Sequence, residues 1–106
     1  MANICTNKFY IYSSIAKNIP KIKENLENLF KEKLDGEIYY ETDHCIEGYF
    51  DSKWCFPDEI FDNFFDEFSD TDLYMRCLSE EYGCDLVSMN IYVDGGWKEP
   101  QYFDLW

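Results

Sequence analysis

The sequence predicts an α+β fold in which two helices pack on one face of an antiparallel sheet, giving a two-layer sandwich. Two segments have apolar residues at helical spacing, and the segments around them alternate between apolar and polar residues as strands do. Composition agrees, because 46% of the 106 residues are hydrophobic and 20% are aromatic, which is enough apolar surface for one core. We expect a single domain over residues 1–106.

The first strand and the first helix are predicted in the N-terminal third. Aromatic and β-branched side chains alternate between two faces over residues 7–13, which indicates a strand. Proline is tolerated in the first helical turn, so Pro20 places the start of the helix near residue 18. Gly36 is expected to end the helix, since glycine commonly follows the last turn. The apolar stripe of this helix consists of Ile15, Ile19, Ile22, Leu26, Leu29, Phe30 and Leu34.

Two short strands and a second helix are predicted in the middle of the chain. Residues 37–42 and 45–50 are extended runs joined by a turn at Asp43 and His44. The second helix is predicted to begin at Pro57 and to pack its apolar face against the sheet. That face consists of Ile60, Phe61, Phe64, Phe65 and Phe68.

The C-terminal third is predicted to form a hairpin and a tail. Residues 73–79 and 84–93 alternate as strands and flank a turn at residues 80–83. The element order is then β-α-β-β-α-β with an extra C-terminal strand, which is the order of a ferredoxin-like sandwich. Residues 94–106 form an aromatic tail with two open alternatives, docking onto the sheet or projecting from it as a mobile segment.

The charge is strongly negative and unevenly distributed. The net charge is -13, from 22 acidic and nine basic residues. Residues 1–34 carry six lysines and three glutamates, whereas residues 35–106 carry three basic and 19 acidic residues. Such a surface repels phosphates and anionic membranes. We therefore expect neither direct nucleic-acid binding nor membrane binding, and we expect a basic protein as the partner.

The sequence lacks the residue patterns that familiar catalytic and metal sites require. His44 is the only histidine, and Cys45 and Cys55 are not spaced as a zinc site needs. Residues 94–97 lack both the spacing and the following helix of a phosphate-binding loop. We therefore expect a protein that is not an enzyme, binds no metal and needs no cofactor.

The N-terminal sequence and the cysteines predict the location of the protein. The first 14 residues lack a basic leader followed by an apolar run, and no apolar stretch is long enough to span a bilayer. We expect a cytoplasmic protein, as a monomer or a dimer. In a reducing compartment all five cysteines should be free thiols. They are Cys5, Cys45, Cys55, Cys77 and Cys84.

Three segments resemble the ferredoxin-like domain of YubB-type proteins, which plasmids and phages carry. They are MANICTN at the start, FDSKW at residues 50–54 with Pro57 after it, and SEEYG at residues 79–83. Phe56 stands where that family has the first of two prolines, and no proline follows Glu81. The resemblance implies the same fold and an origin in a mobile element, and it implies no reaction.

The segment FPDEIFDNFFDEFSDTD, residues 56–72, carries seven carboxylates and no lysine or arginine. On the predicted helix Asp58, Asp62 and Asp66 stand four residues apart, and such like-charged pairs destabilise a helix by about 0.2–0.5 kcal/mol each. Four helical residues advance by about 6 Å, a spacing comparable to that of phosphates along a strand. The predicted partner-binding residues are Asp58, Glu59, Asp62, Asp66, Glu67, Asp70, Asp72, Glu80 and Glu81.

The leading hypothesis is a phage or mobile-element inhibitor that acts by binding in the cytoplasm of the host cell. Its acidic surface is predicted to occupy the nucleic-acid site of a basic host protein, with a CRISPR effector as the foremost class of target, because such effectors hold nucleic acid in a positively charged channel. One alternative is an accessory domain that mediates protein association through its aromatic edge and tail. A second is a small-molecule-binding domain, and a third is that the acidic face is only solvated.

Overall fold

The computed structural model describes residues 4–53, 55–81 and 86–104. Within these ranges it contains two helices and one antiparallel sheet of seven strands, which confirms the predicted α+β class. The helices are α1 (Asn18–Glu32) and α2 (Asp58–Phe61). The strands are β1 (Ile4–Tyr12), β2 (Asp35–Glu41), β3 (Cys45–Lys53), β4 (Tyr74–Glu81), β5 (Leu86–Val93), β6 (Gly96–Trp97) and β7 (Gln101–Asp104).

The sheet contains more strands than the sequence predicts. Its order is β2-β3-β1-β4-β5-β6, and β7 also pairs with β5. The prediction of five strands is wrong because the tail docks onto β5 and supplies β6 and β7. Asp94 and Gly95 have positive φ values of 54° and 80°, which reverse the chain between β5 and β6. Both additions extend the sheet beyond β5.

One face of the sheet carries the core. On β1 every second side chain from Cys5 to Ile11 is buried, and β3 and β4 show the same alternation. Phe50 on β3 stacks on Phe61 of α2 with ring centroids 5.5 Å apart. Buried residues of α1 belong to the same cluster, so both helices cover the same face. Those α1 residues are Ile19, Ile22 and Leu26.

The predicted core is correct in part. Ile22, Leu26, Phe61 and Phe65 are fully buried, as expected for residues on the inner faces of the helical segments. Ile19 is also buried, whereas Ile15, at the start of the predicted stripe, is exposed because it precedes the first turn of α1. The other predicted positions are partly buried and pack at the edge of the cluster. They are Leu29, Phe30, Leu34, Ile60, Phe64 and Phe68.

The second helix is much shorter than predicted. Regular α-helix covers only Asp58–Phe61, and residues 62–67 continue as turns. Hydrogen bonds between residues three apart are typical of 3₁₀ turns, in which residues four apart do not share a face. The predicted row of carboxylates therefore holds only for Asp58 and Asp62. The 3₁₀ hydrogen bonds in this segment are donated by the backbone N–H groups of Phe64, Asp66 and Phe68, each to the carbonyl three residues earlier.

The end of α1 also differs from the prediction. The helix ends at Glu32, and the backbone N–H groups of Lys33 and Leu34 both donate to the Leu29 carbonyl. Gly36 lies instead in β2, where a Cβ atom would come within 2.6 Å of the Tyr49 carbonyl oxygen. Glycine is needed here for the close approach of β2 to β3, and it does not cap the helix.

The predictions about thiols and membrane spans can be compared with the described residues. Cys5, Cys45, Cys55 and Cys77 are free thiols, and Cys84 lies outside the described ranges. Glu80 and Glu81, predicted in a turn, belong to β4, and the rest of that turn is also outside the described ranges. No helix within those ranges is long and apolar enough to cross a bilayer.

Candidate functional site

The acidic segment, residues 58–72, connects the end of β3 to the start of β4. Lys53 pairs with one end of β1 and Tyr74 pairs with the other, so the segment runs from one end of the sheet to the other on the helical side. Phe61 and Phe65 are buried against the sheet. The exposed carboxylates of the segment are Asp58, Glu59, Asp62, Asp66, Glu67 and Asp72.

No basic side chain among the described residues forms an ion pair with a carboxylate of this segment. The ion pairs in the described part of the chain are Lys21–Glu24 at 4.0 Å and Lys23–Glu41 at 2.9 Å, and both involve α1. Although Asp58 is exposed, partial desolvation of its carboxyl raises its pKa, and the neighbouring charge of Asp62 raises it further. The acidic segment is therefore a concentration of like charge.

Two of its carboxylates have side-chain hydrogen-bond donors. Glu67 Oε1 accepts from Asn25 Nδ2 of α1 at 2.6 Å, which ties the segment to the first helix. Asp70 accepts from the hydroxyl of Ser13 at 2.7 Å, and from the hydroxyl and backbone N–H of Ser14 at 2.6 and 2.9 Å. The backbone N–H of Asp72 also donates to Asp70, at 3.0 Å. Asp70 thus joins the loop after β1 to the loop before β4.

The environment of Asp70 makes it a structural group. Burial alone would raise the pKa of its carboxyl, but hydrogen bonds from Ser13, Ser14 and Asp72 outweigh this and lower the pKa from 3.8 to about 2. All of its partners lie within this chain. We therefore assign Asp70 a structural role, and its place in the predicted partner-binding set stays a prediction.

Replacing Asp70 by asparagine should lower the free energy of unfolding by about 1–2 kcal/mol at neutral pH, because an amide accepts these bonds less strongly and the site is partly solvated. A lowered folded-state pKa contributes stability above the unfolded pKa, and that stability is lost as pH falls from 3.8 towards about 2. Urea unfolding across this range should therefore show a flatter pH dependence in Asp70→Asn. The matched control is Asp72→Asn, an exposed carboxylate, and an equal effect in both variants would contradict the assignment.

The two glutamates predicted to extend the acidic surface lie on β4 and do not form one patch. Successive strand residues point to opposite faces. Glu81 follows the buried series Met75, Cys77 and Ser79 and lies on the helical side, whereas Glu80 lies on the open face opposite Thr6. Glu80 therefore lies on the face opposite to the acidic segment, whereas Glu81 lies on the same side of the sheet as the segment.

A cavity of about 230 Å³ lies between the start of the acidic segment and the β5–β6 hairpin. Trp97 is fixed there, because its Nε1–H donates to the Phe61 carbonyl at 3.1 Å and its ring contacts Phe56 at 5.5 Å. Sequence analysis missed the aromatic and amide residues of this cavity, since only the docking of the tail brings them to the helix. The lining includes Phe56, Asp58, Asp62, Asn90, Trp97 and Lys98.

The open face of the sheet is rich in tyrosine. Tyr10 on β1 lies under the Arg76 guanidinium, whose central carbon is 4.3 Å from the ring centroid. Tyr10 also contacts Tyr74 at 6.3 Å, and Tyr49 on β3 is 37% exposed. Tyrosine and arginine are enriched at protein interfaces, so this face is the surface that suits the alternative of protein association.

A buried polar cluster closes the inner face at the β1 end where Cys5 lies. Asn7 is fully buried, and its Nδ2 donates to the carbonyls of Cys5 and Phe50 and to the Ser52 hydroxyl. Its Oδ1 accepts from the Ser79 hydroxyl at 2.6 Å. Burial raises the pKa of the Cys5 thiol, which keeps it protonated. This cluster links β1, β3 and β4 and has a structural role.

Metal-ligating side chains do not converge in the part of the chain that is described. No group of three or more histidine, cysteine, aspartate or glutamate side chains is placed to hold an ion among those residues. His44 lies in the turn between β2 and β3, with its Nδ1 3.0 Å from the Ser13 carbonyl oxygen. It therefore contributes to the connection between two loops.

Comparisons with known proteins give no match. No family model, no curated protein and no solved structure matches the chain. The resemblance to YubB-type proteins stays a prediction from the three segments that carry it.

Proposed function

We propose that this chain is a non-enzymatic binding protein whose acidic segment contacts a basic surface of another protein. The observation that carries the proposal is that none of the seven carboxylates in residues 58–72 forms an ion pair within the described part of the chain. Like charges held together repel one another, and a basic partner would relieve this repulsion. Long-range attraction would also speed the encounter of the two proteins.

The proposed target is a protein that holds nucleic acid in a basic channel, with CRISPR effectors as the leading class. A folded acidic protein competes for the same lysines and arginines without any chemistry. Regular phosphate-like spacing is not part of this proposal, because α2 is a single turn and only Asp58 and Asp62 keep the helical relation. Competition depends on local charge density, which the shorter helix leaves intact.

We also infer that β1 to β4 and the two helices form a ferredoxin-like core, and that the protein comes from a phage or plasmid. The order β2-β3-β1-β4 supports the ferredoxin-like core, because β1 lies between β3 and β4 and is antiparallel to both. The inferred origin depends only on the resemblance to YubB-type proteins. The strands β5, β6 and β7 would then be additions at one edge. The fold gives no further information on activity.

A pull-down tests the proposal first. The tagged chain is incubated with lysate from candidate bacterial hosts, and bound proteins are eluted with a salt gradient and identified by mass spectrometry. The proposal expects a basic nucleic-acid-binding protein that elutes as salt rises, because exposed charge pairs are screened. A partner that salt does not release, or one without a basic surface, would contradict it.

Neutralising the acidic segment should weaken binding without unfolding the chain. The variant replaces Asp58, Asp62 and Asp66 by asparagine, which removes three exposed charges. We expect the association rate at low salt to fall by roughly tenfold or more, with a smaller salt dependence. Stopped-flow or biolayer measurements at two salt concentrations give both quantities, and circular dichroism verifies the fold.

A matched control separates the acidic segment from net charge. Glu27, Glu32 and Glu37 are exposed carboxylates on α1 and β2, and replacing them by glutamine changes the net charge by the same amount. The proposal expects this control to bind like the parent chain. Equal losses in both variants would mean that only overall charge matters. Loss in Tyr49→Ala with binding retained in the acidic variant would favour association through the open sheet face.

A further inference from the structure

The cavity beside the acidic segment has the composition of a site for a basic side chain. Asp58 and Asp62 both line it from the start of α2. Partial desolvation and repulsion from Asp62 both disfavour the ionised form of Asp58, and the opposite charge of a bound cation would offset both effects. The cavity volume of about 230 Å³ is below the roughly 300–1,000 Å³ usual for drug-sized ligands. It suits one long side chain.

Asn90 supplies an observation independent of the acidic cluster. Its side chain lies on the inner face of β5 and is only 4% exposed. It lines the same cavity, and no hydrogen bond joins it to another residue in the described ranges. Buried polar side chains nearly always have a hydrogen-bond partner. Because no fully buried side-chain polar atom lacks a partner among the described residues, the Asn90 amide keeps accessible surface, and it is available to bond a group that enters the cavity.

The aromatic walls of the cavity favour an arginine side chain over a lysine side chain. Phe56 and Trp97 line the cavity with their rings 5.5 Å apart, and the bond from Trp97 to the Phe61 carbonyl fixes the indole. A guanidinium group stacks on aromatic rings and carries five N–H donors in one plane, whereas an ammonium group is compact and strongly hydrated. Two carboxylates and one amide oxygen can accept several of these donors at once.

We propose that this cavity binds the guanidinium group of an arginine side chain from the basic partner, held by Asp58, Asp62 and Asn90 against Trp97. The inference rests on the proposed function and specifies which part of the acidic segment makes a directed contact. Lys98 also lines the cavity and forms no ion pair with the described residues. Its charge opposes the incoming arginine.

The test uses small probes and needs no partner. Nuclear magnetic resonance of the full chain follows the Trp97 indole N–H and the Asn90 side-chain amide during titration with N-acetyl-arginine amide. We expect saturable shifts of both signals, weaker binding of N-acetyl-lysine amide, and no shift with the neutral citrulline derivative. Saturation by the citrulline derivative at the same concentrations would overturn the proposal.

Variants locate the binding in the cavity. Replacing Asp58 and Asp62 together by asparagine should weaken binding of N-acetyl-arginine amide by roughly tenfold or more, because a partly buried cation loses its counter-charges. Lys98→Gln should strengthen it. Glu59→Gln changes an exposed carboxylate of the same turn that does not line the cavity, and it should have no effect. Equal weakening in Glu59→Gln, or weaker binding in Lys98→Gln, would overturn the proposal.

The outcomes separate this inference from the proposed function. If the chain binds its partner through the acidic segment but shows no arginine-specific titration, the result supports the proposed function and contradicts the arginine site in the cavity. If the chain binds N-acetyl-arginine amide in the cavity but has no salt-dependent basic partner, the result supports the arginine site and contradicts the proposed function. The two failures therefore appear in different experiments.

Discussion

Replacing Phe61 by alanine is expected to lower the free energy of unfolding by about 3–5 kcal/mol. Phe61 is fully buried, and its ring stacks on Phe50 at 5.5 Å and on Phe56 at 5.4 Å. Because these aromatic neighbours come from the sheet and from the loop before α2, they cannot all close the space left by the ring. Urea unfolding followed by far-ultraviolet circular dichroism measures the loss.

Phe64→Ala is the matched control for this prediction. Phe64 lies three residues further on and contacts Phe61 and Phe65, but it is only partly buried at the edge of the core. Folding removes less of the Phe64 ring from water, so the loss of unfolding free energy should be clearly smaller than for Phe61. The sequence alone ranks the two equally, since both lie on the predicted apolar face. A loss for Phe64→Ala as large as for Phe61→Ala would contradict the packing described above.

Hydrophobic periodicity predicted most of the fold because it reports which face of an element is buried. The stripe of α1 and the alternation of β1, β3 and β4 arise from burial against one sheet, and all four elements form where predicted to within a few residues. Periodicity failed for α2. Phenylalanines three and four residues apart suit both an α-helix and a series of 3₁₀ turns, and the aspartates between them are weak helix formers that repel one another.

Local rules failed where a tertiary contact decides the outcome. Gly36 follows a helix and matches the usual position of a terminating glycine, yet its conformation is set by the approach of β2 to β3. The tail 96–104 contains turn residues and a proline, and its docking depends on β5 having a free edge. Neither fact can be read from neighbouring residues.

The candidate site was predictable in composition but not in arrangement. The concentration of carboxylates at residues 58–72 is visible in the sequence, whereas the role of Asp70 depends on Ser13 and Ser14, more than 50 positions away along the chain. Asn90 and Trp97 come to the acidic segment only through the β5–β6 hairpin. Such long-range contacts leave no local pattern, so the directed part of the site emerged only from the structure.

Replacing Asn7 by aspartate should be as damaging as removing Phe61, although the two side chains have nearly the same shape. Asn7 Nδ2 donates to the carbonyls of Cys5 and Phe50 at 3.2 and 3.1 Å and to Ser52 Oγ at 2.9 Å. A carboxylate at this fully buried position would face two carbonyl oxygens as an acceptor and would carry an uncompensated charge. Such charges cost about 3–5 kcal/mol.

The pH dependence identifies the cause of this loss. Burial raises the folded-state pKa of the introduced carboxyl above its ordinary value, so the unfolded chain releases the proton at lower pH than the folded chain does. The destabilisation should therefore grow as pH rises above about 4 and stop growing once pH passes the folded-state pKa. Below about pH 4 the group is protonated in both states, and its O–H can donate to one of the carbonyls, so part of the loss should be recovered.

Asn28→Asp makes the same chemical change at an exposed position of α1, and it should alter the unfolding free energy by less than about 0.5 kcal/mol at any pH between 4 and 8. Urea unfolding of both variants over that range tests the difference. A loss in Asn7→Asp that does not change with pH would mean that the lost donors alone cause it. A stable variant would mean that the Nδ2 bonds of Asn7 do not hold β1 to β3, because the introduced group can make none of them while ionised.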